Sequence, residues 1–222
     1  MKIKLIPFIP LQHHLKFVIV IILFPFLVSP QVKHLFYAVD SLTKYLAVKQ
    51  YNEINDLHAV DSIYLHAKAL LKGDLSETFL SLTFAAIPYN NVPIQLPVIH
   101  LMVNFPLICA ADSIYKLKNH NLPARLYFDT PDDNFGDKDK NAHFFGSAFI
   151  SYSSNVFDLG DLIGYFVEVF EESFEVQNQV DPRDIQANQL GNLFGKIIKK
   201  RKNVLPSQVL ILKSLYQIRM NL

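Results

Sequence analysis

Asp184, Asn188, Gly191 and Gly195 follow one another at spacings of 4, 3 and 4 residues. On a helix, that spacing puts a carboxylate, an amide and two glycines in one line. Glycines so placed let another helix approach closely, so the stripe calls for a partner helix. A second stripe lies upstream, where Asp139 and His143 are four residues apart and share a helix face. There Asp139 can accept a proton from the imidazole or steady its charged form. Between the two, Asp161, Glu168, Glu172 and Glu175 fall on one side of a third segment. Periodicity places the three helices at about 138–153, 158–175 and 182–200. Convergence of their faces would bring one histidine, several carboxylates and an amide together inside a small bundle.

The composition narrows what such a bundle can serve. The 222 residues fit one or two compact domains, and 50% of them are hydrophobic, which argues against disorder. A net charge of +1 gives no global field toward nucleic acid, and the basic run near the carboxy terminus lacks the interleaved aromatics of a nucleic-acid surface. Cys109 is the single cysteine, so an intrachain disulfide framework and a cysteine zinc site are both excluded. Its apolar setting, Pro106 to Ala110, favours an inert thiol. No phosphate-binding glycine loop, serine nucleophile elbow or His-Glu-x-x-His zinc signature is present.

The amino terminus reads as an address. Lys2, Lys4, His13, His14 and Lys16 precede an unbroken apolar run from Phe17 to Val28. That run matches a signal-peptide core and is short for a membrane span, so residues 1–30 are expected to be a signal peptide or an amino-terminal anchor. No cysteine follows it to carry a lipid. Three lysines leave with residues 1–30, which moves the net charge from +1 to −2. Residues 196–222 hold seven basic residues and no acid, leaving −9 for residues 31–195. Lys199, Lys200, Arg201 and Lys202 stand just before Pro206, a suitable first helical residue. Val209, Leu212, Leu215 and Tyr216 then recur at helical spacing, making 204–222 a basic amphipathic tail able to lie on anionic lipid or to pack on the body.

For residues 31–130 the pattern predicts a helical pair followed by strands. Leu35, Val39, Leu42 and Leu46 keep helical spacing, as do Leu57, Val60, Tyr64, Ala67 and Leu71, with Asp56 as the expected cap and Gly73 as the stop. Ala38-Val39-Asp40-Ser41, Ala59-Val60-Asp61-Ser62 and Ala111-Asp112-Ser113 echo one another at unequal offsets, which Asp-Ser at helix starts would explain. From about Thr78 to Phe128 apolar residues alternate: Leu80, Leu82 and Phe84, then Ile99, Leu101, Val103 and Phe105. This predicts a small antiparallel hairpin or meander. Pro131 to Gly136 forms a polar loop, the expected boundary before a module at 131–203. The expected class is therefore α+β, mainly helical, with the β element inserted between an N-terminal helical pair and a C-terminal short-helix bundle.

Asp139-Lys140-x-x-His143-Phe144, then a helix carrying Glu168, then Asp184-x-x-x-Asn188-x-x-Gly191-x-x-x-Gly195 resembles the VanZ-like and YfiM-like envelope proteins, over about residues 137–198. Arg183 sits near an arginine that often precedes the last motif in that group. The resemblance implies an exported, envelope-associated protein, a group largely without assigned biochemistry. The chain departs from it by lacking strong spans and a lipid-anchor cysteine.

Two functional readings follow for Asp139, His143, Glu168, Asp184 and Asn188. One is a non-catalytic hydrogen-bonded network tying short helices together, with Gly191 and Gly195 as packing positions and Lys199 to Lys202 at the membrane. The other is an envelope hydrolase of lipid or cell-wall phosphate intermediates, with His143 as base. One imidazole and several carboxylates would also suit a hard metal, but no metal or cofactor is assigned. Lys140 is expected to contact solvent or headgroups.

Overall fold

The computed structural model describes residues 30–48, 55–88, 91–96, 101–106, 111–153 and 181–220. The expectations for residues 1–29, Cys109, Asp161, Glu168, Glu172 and Glu175 lie outside the described residues. The chain divides into two units, Met1–Tyr37 and Ala38–Leu222. Of the first unit, residues 30–37 are described, and they form the opening turns of helix α1, Pro30–Val48. The second unit holds the rest of α1, then α2 (Asp56–Leu70), α3 (Leu75–Ala86), α4 (Asp112–Asn121), α5 (Lys138–Ser153), α6 (Pro182–Lys200) and α7 (Pro206–Met220).

Local chemistry sets both ends of α2. Asn55, rather than Asp56, caps α2, its side-chain oxygen accepting from Leu57 N at 2.8 Å. Asp56 instead turns its carboxylate outward from the helix, accepting from Ala124 N at 2.8 Å and Arg125 N at 2.5 Å in the loop before α5. Gly73, at φ +85°, ends the turn after α2, with its N–H on Lys68 O at 2.8 Å. Of the three Asp-Ser echoes, only Asp112 stands at a helix start; Asp40 and Asp61 lie inside helices. Asp61 caps a different helix, taking Ser207 N at 2.8 Å and Ser207 Oγ at 2.6 Å, and so ties the first turn of α7 to α2.

The α+β expectation is overturned: the body of the second unit is helical. Leu80, Leu82 and Phe84, expected at strand positions, lie in α3, and among the described residues the buried apolar side chains belong to helices, their C-caps and the loop before α5. Every residue of α3 from Thr78 to Ala86 is buried. A helix buried on all sides has no polar face, so its 3.6-residue period is invisible, and Ser81 and Thr83 mimic the polar side of a strand. Thr83 keeps its hydroxyl satisfied by donating to Phe79 O at 2.7 Å. After α3, the backbones of Asn91–Leu96 and Leu101–Pro106 pair antiparallel, Asn91 opposite Pro106 and Leu96 opposite Leu101, as a two-stranded ribbon.

An aromatic cluster sits where α2, α3, α5 and α6 meet. Phe194 packs on Tyr64, Phe79 and Phe144 with ring centroids 5.3–5.7 Å apart. The α5–α6 seam is closer than side chains would allow. A Cβ on Gly191 would lie 2.1 Å from the Phe144 carbonyl oxygen, and one on Gly195 would lie 2.5 Å from that of Ala148. Each step up α5 matches a step up α6, so the two helices run parallel and both start at the same end of the seam. Among the described residues, no helix is long and apolar enough to cross a membrane.

Candidate functional site

The shared starting end of α5 and α6 is where the polar residues gather. Asp181 caps α6, its Oδ1 accepting from Arg183 N at 2.9 Å, and Pro182 opens the helix. Asp139, Lys140 and His143 occupy the first turns of α5, and Asp184 and Asn188 those of α6. Two helix N-termini, each worth about half a positive charge, thus face a set of carboxylates.

Lys140 is the hub. Its ammonium reaches Asp139 Oδ2 at 2.9 Å, Asp181 Oδ2 at 2.7 Å and Asp184 Oδ1 at 2.5 Å, and the residue is 3% exposed. This corrects the expectation that Lys140 meets solvent or headgroups. Burial works against the ammonium, but its bonds to Asp181, Asp184 and Asp139 prevail and hold its pKa above the ordinary lysine value. Burial raises the Asp139 and Asp184 carboxyls, with Lys140 pulling the other way. At the rim, Asp181 is also raised by its partial burial, but the Lys140 bond outweighs this and leaves it below the usual range.

His143 lies beside this ion cluster. Its Nδ1 is 3.2 Å from Asn188 Oδ1, and its Nε2 is 3.1 Å from Asp184 Oδ1. Ser147 also donates to Asn188 Oδ1, at 2.9 Å, which leaves that oxygen as the acceptor for an Nδ1–H. Burial, and then the Lys140 charge, push the imidazole down to about 3, so it is neutral at physiological pH. Asp139 keeps one oxygen, Oδ1, buried and without a hydrogen-bond partner.

A second chain of charges adjoins the first through Arg183. The guanidinium pairs with Asp137 Oδ1 and, at 2.8 Å, with Asp129 Oδ1, which also meets Lys213 Nζ at 2.9 Å. Asp137 is fully buried, and its other oxygen accepts from Leu126 N, Tyr127 N and Thr130 Oγ1. The Tyr127 ring lies under Lys213, 4.1 Å from the ammonium to the ring centroid. The loop before α5 is thereby fixed to α6 and α7.

The structure brings Asp139, His143, Asp184 and Asn188 together, and Gly191 and Gly195 lie on the same α6 face. Lys199, Lys200, Arg201 and Lys202 stand apart from them, exposed at the far end of α6. The sequence reading missed Lys140 as hub, and with it Asp181, Asp137 and Ser147. A signal existed for Asp181, because Asp-Pro before a periodic run marks a helix start. None existed for Asp137, whose partners come from a loop and from a helix 46 residues away. No model of a known protein family matches the chain, nor does any curated protein or solved structure.

Proposed function

We propose that the chain is an exported, non-catalytic envelope protein of VanZ-like or YfiM-like type, in which a buried ionic network locks α5 to α6. On this reading it lies on anionic lipid through the basic end of α6 and the apolar side of α7. The observation that carries the network reading is Lys140, buried yet bonded to three carboxylates from two helices. On this reading the desolvated charges fix one packing of α5 on α6. Support for the lipid surface comes from Lys199, Lys200, Arg201 and Lys202 at one end, with Leu212, Leu215 and Tyr216 exposed along α7.

The geometry weighs against the hydrolase alternative. A general base must reach a substrate proton and hold a pKa near the working pH. His143 is 2% exposed, has both nitrogens turned to protein groups and is pushed down to about 3. Thermal unfolding of His143→Ala, Asn188→Ala and the double variant separates the readings. In a network each single variant strands a buried partner, at about 1–3 kcal/mol. The double variant then loses less than the sum, because the two residues share a bond. Two neutral single variants would sink the network and restore the hydrolase. Export is tested by fusing residues 1–40 to a reporter active only outside the cytoplasm, and a silent reporter in folded, expressed protein refutes it.

A further inference from the structure

We propose that Asp139, His143 and Asp184 form a binding site for one divalent first-row transition-metal ion, set at the shared N-terminal end of α5 and α6. The inference deepens the network reading, since the ion would complete the same helix lock. One ligand atom from each of the three residues lies within 4.8 Å of the others. Around an ion with bonds of about 2.1 Å, donors sit about 3–3.4 Å apart, so modest side-chain rotation closes the set.

Three independent features point to a cation there. Asp139 Oδ1 is buried with no hydrogen-bond partner, in a residue 7% exposed, while Oδ2 is already held by Lys140. A buried carboxylate oxygen without a donor is costly, and a metal ion supplies what a donor would. His143 is set up as ligating imidazoles are: Nδ1 is held by a side-chain carbonyl, that of Asn188, and Nε2 points to the carboxylate side. Charge also favours it. Asp139, Asp181 and Asp184 carry three negative charges against one on Lys140, leaving two that the helix N-termini offset only in part.

The donor set chooses the ion. One imidazole and two carboxylates, without thiolate, suit Zn²⁺, Mn²⁺ or Fe²⁺, whereas Ca²⁺ takes six to eight oxygens. Asp181, with 35% of its side chain exposed, marks the side from which an ion can arrive.

The test uses the full chain, stripped with chelator at pH 7 and offered Zn²⁺ or Mn²⁺, with the metal retained after gel filtration measured by mass spectrometry. The expected result is one ion per chain. It should be lost in Asp139→Asn, His143→Gln and Asp184→Asn, held about 10–100-fold more weakly in Asn188→Ala, and unchanged in His120→Gln, an exposed histidine on α4. No retained ion, or equal retention in the three ligand variants, overturns the site. Should those variants fail to fold, Mn²⁺ added to the wild type decides by NMR. Broadening of the His143 ring signals ahead of those of His58 and His120 supports the site, and any other order refutes it. Failure of the network reading shows separately, as unchanged melting of metal-free Asn188→Ala.

Discussion

Replacing Lys140 by methionine keeps an unbranched apolar stem, one atom shorter, and removes the charge. In the native protein the ammonium lies 2.5–2.9 Å from three carboxylate oxygens. At an effective dielectric of about 20, each such contact is worth about 6 kcal/mol before desolvation. Most of that gross attraction is offset by the cost of taking the ions out of water, and removing one partner of a buried pair costs about 3–5 kcal/mol net. For a domain of this size, each kcal/mol moves Tm by about 2–4 °C, so metal-free Lys140→Met should melt roughly 6–20 °C below the wild type at pH 7. The penalty should depend on pH in a definite direction. With the ammonium gone, Asp139, Asp181 and Asp184 repel one another and take up protons more readily in the folded than in the unfolded chain. The variant therefore regains stability as pH falls, and its deficit at pH 5 should be smaller than at pH 7. Scanning calorimetry across that range reads both effects. A variant within about 2 °C of the wild type at pH 7, or a deficit that widens on acidification, would refute Lys140 as the hub.

Gly191→Ala places a methyl group 2.1 Å from the Phe144 carbonyl oxygen, so α5 and α6 must part. A loss of about 1–3 kcal/mol or more in urea unfolding is expected, and an unchanged midpoint would show that the seam is not tight. His143 is neutral when folded down to about pH 3 and binds a proton near its ordinary 6.5 when unfolded. Its contribution is thus complete above 6.5 and falls by up to ~1.4 kcal/mol per unit as pH drops toward 3. Asp139 and Asp184, both raised, act in the opposite sense, so the quantity to read is the difference between metal-free wild type and His143→Gln at pH 7, 6 and 5. A constant difference contradicts the neutral imidazole. Changing Lys199, Lys200, Arg201 and Lys202 to glutamine should weaken sedimentation with anionic vesicles, and added salt should weaken the wild type likewise. Binding that ignores both would refute the basic end of α6 as the contact.

Much of the site was legible in the chain because its residues are local to two helices with one polar face each. Asp139 and His143 share a face through their spacing of four, and so do Asp184, Asn188, Gly191 and Gly195; α5 and α6 carry them at the limits the periodicity marks. Pro206 likewise opens α7, where Val209 is buried and Leu212, Leu215 and Tyr216 are exposed. These properties follow from dihedral geometry and side-chain preference along a few turns. Tertiary structure alone decided the rest. It made α3 a helix, because burial on every side removes the polar face by which a period is recognised. It also decided what Lys140 touches. A lysine with a flexible four-carbon stem can reach water or fold inward, and its partners Asp181 and Asp184, 41 and 44 residues away, become available only when α5 and α6 lie side by side. Arg183 found Asp137 and Asp129 by the same route, since a long cation pairs with whichever carboxylates the packing of helices and loops places within its reach.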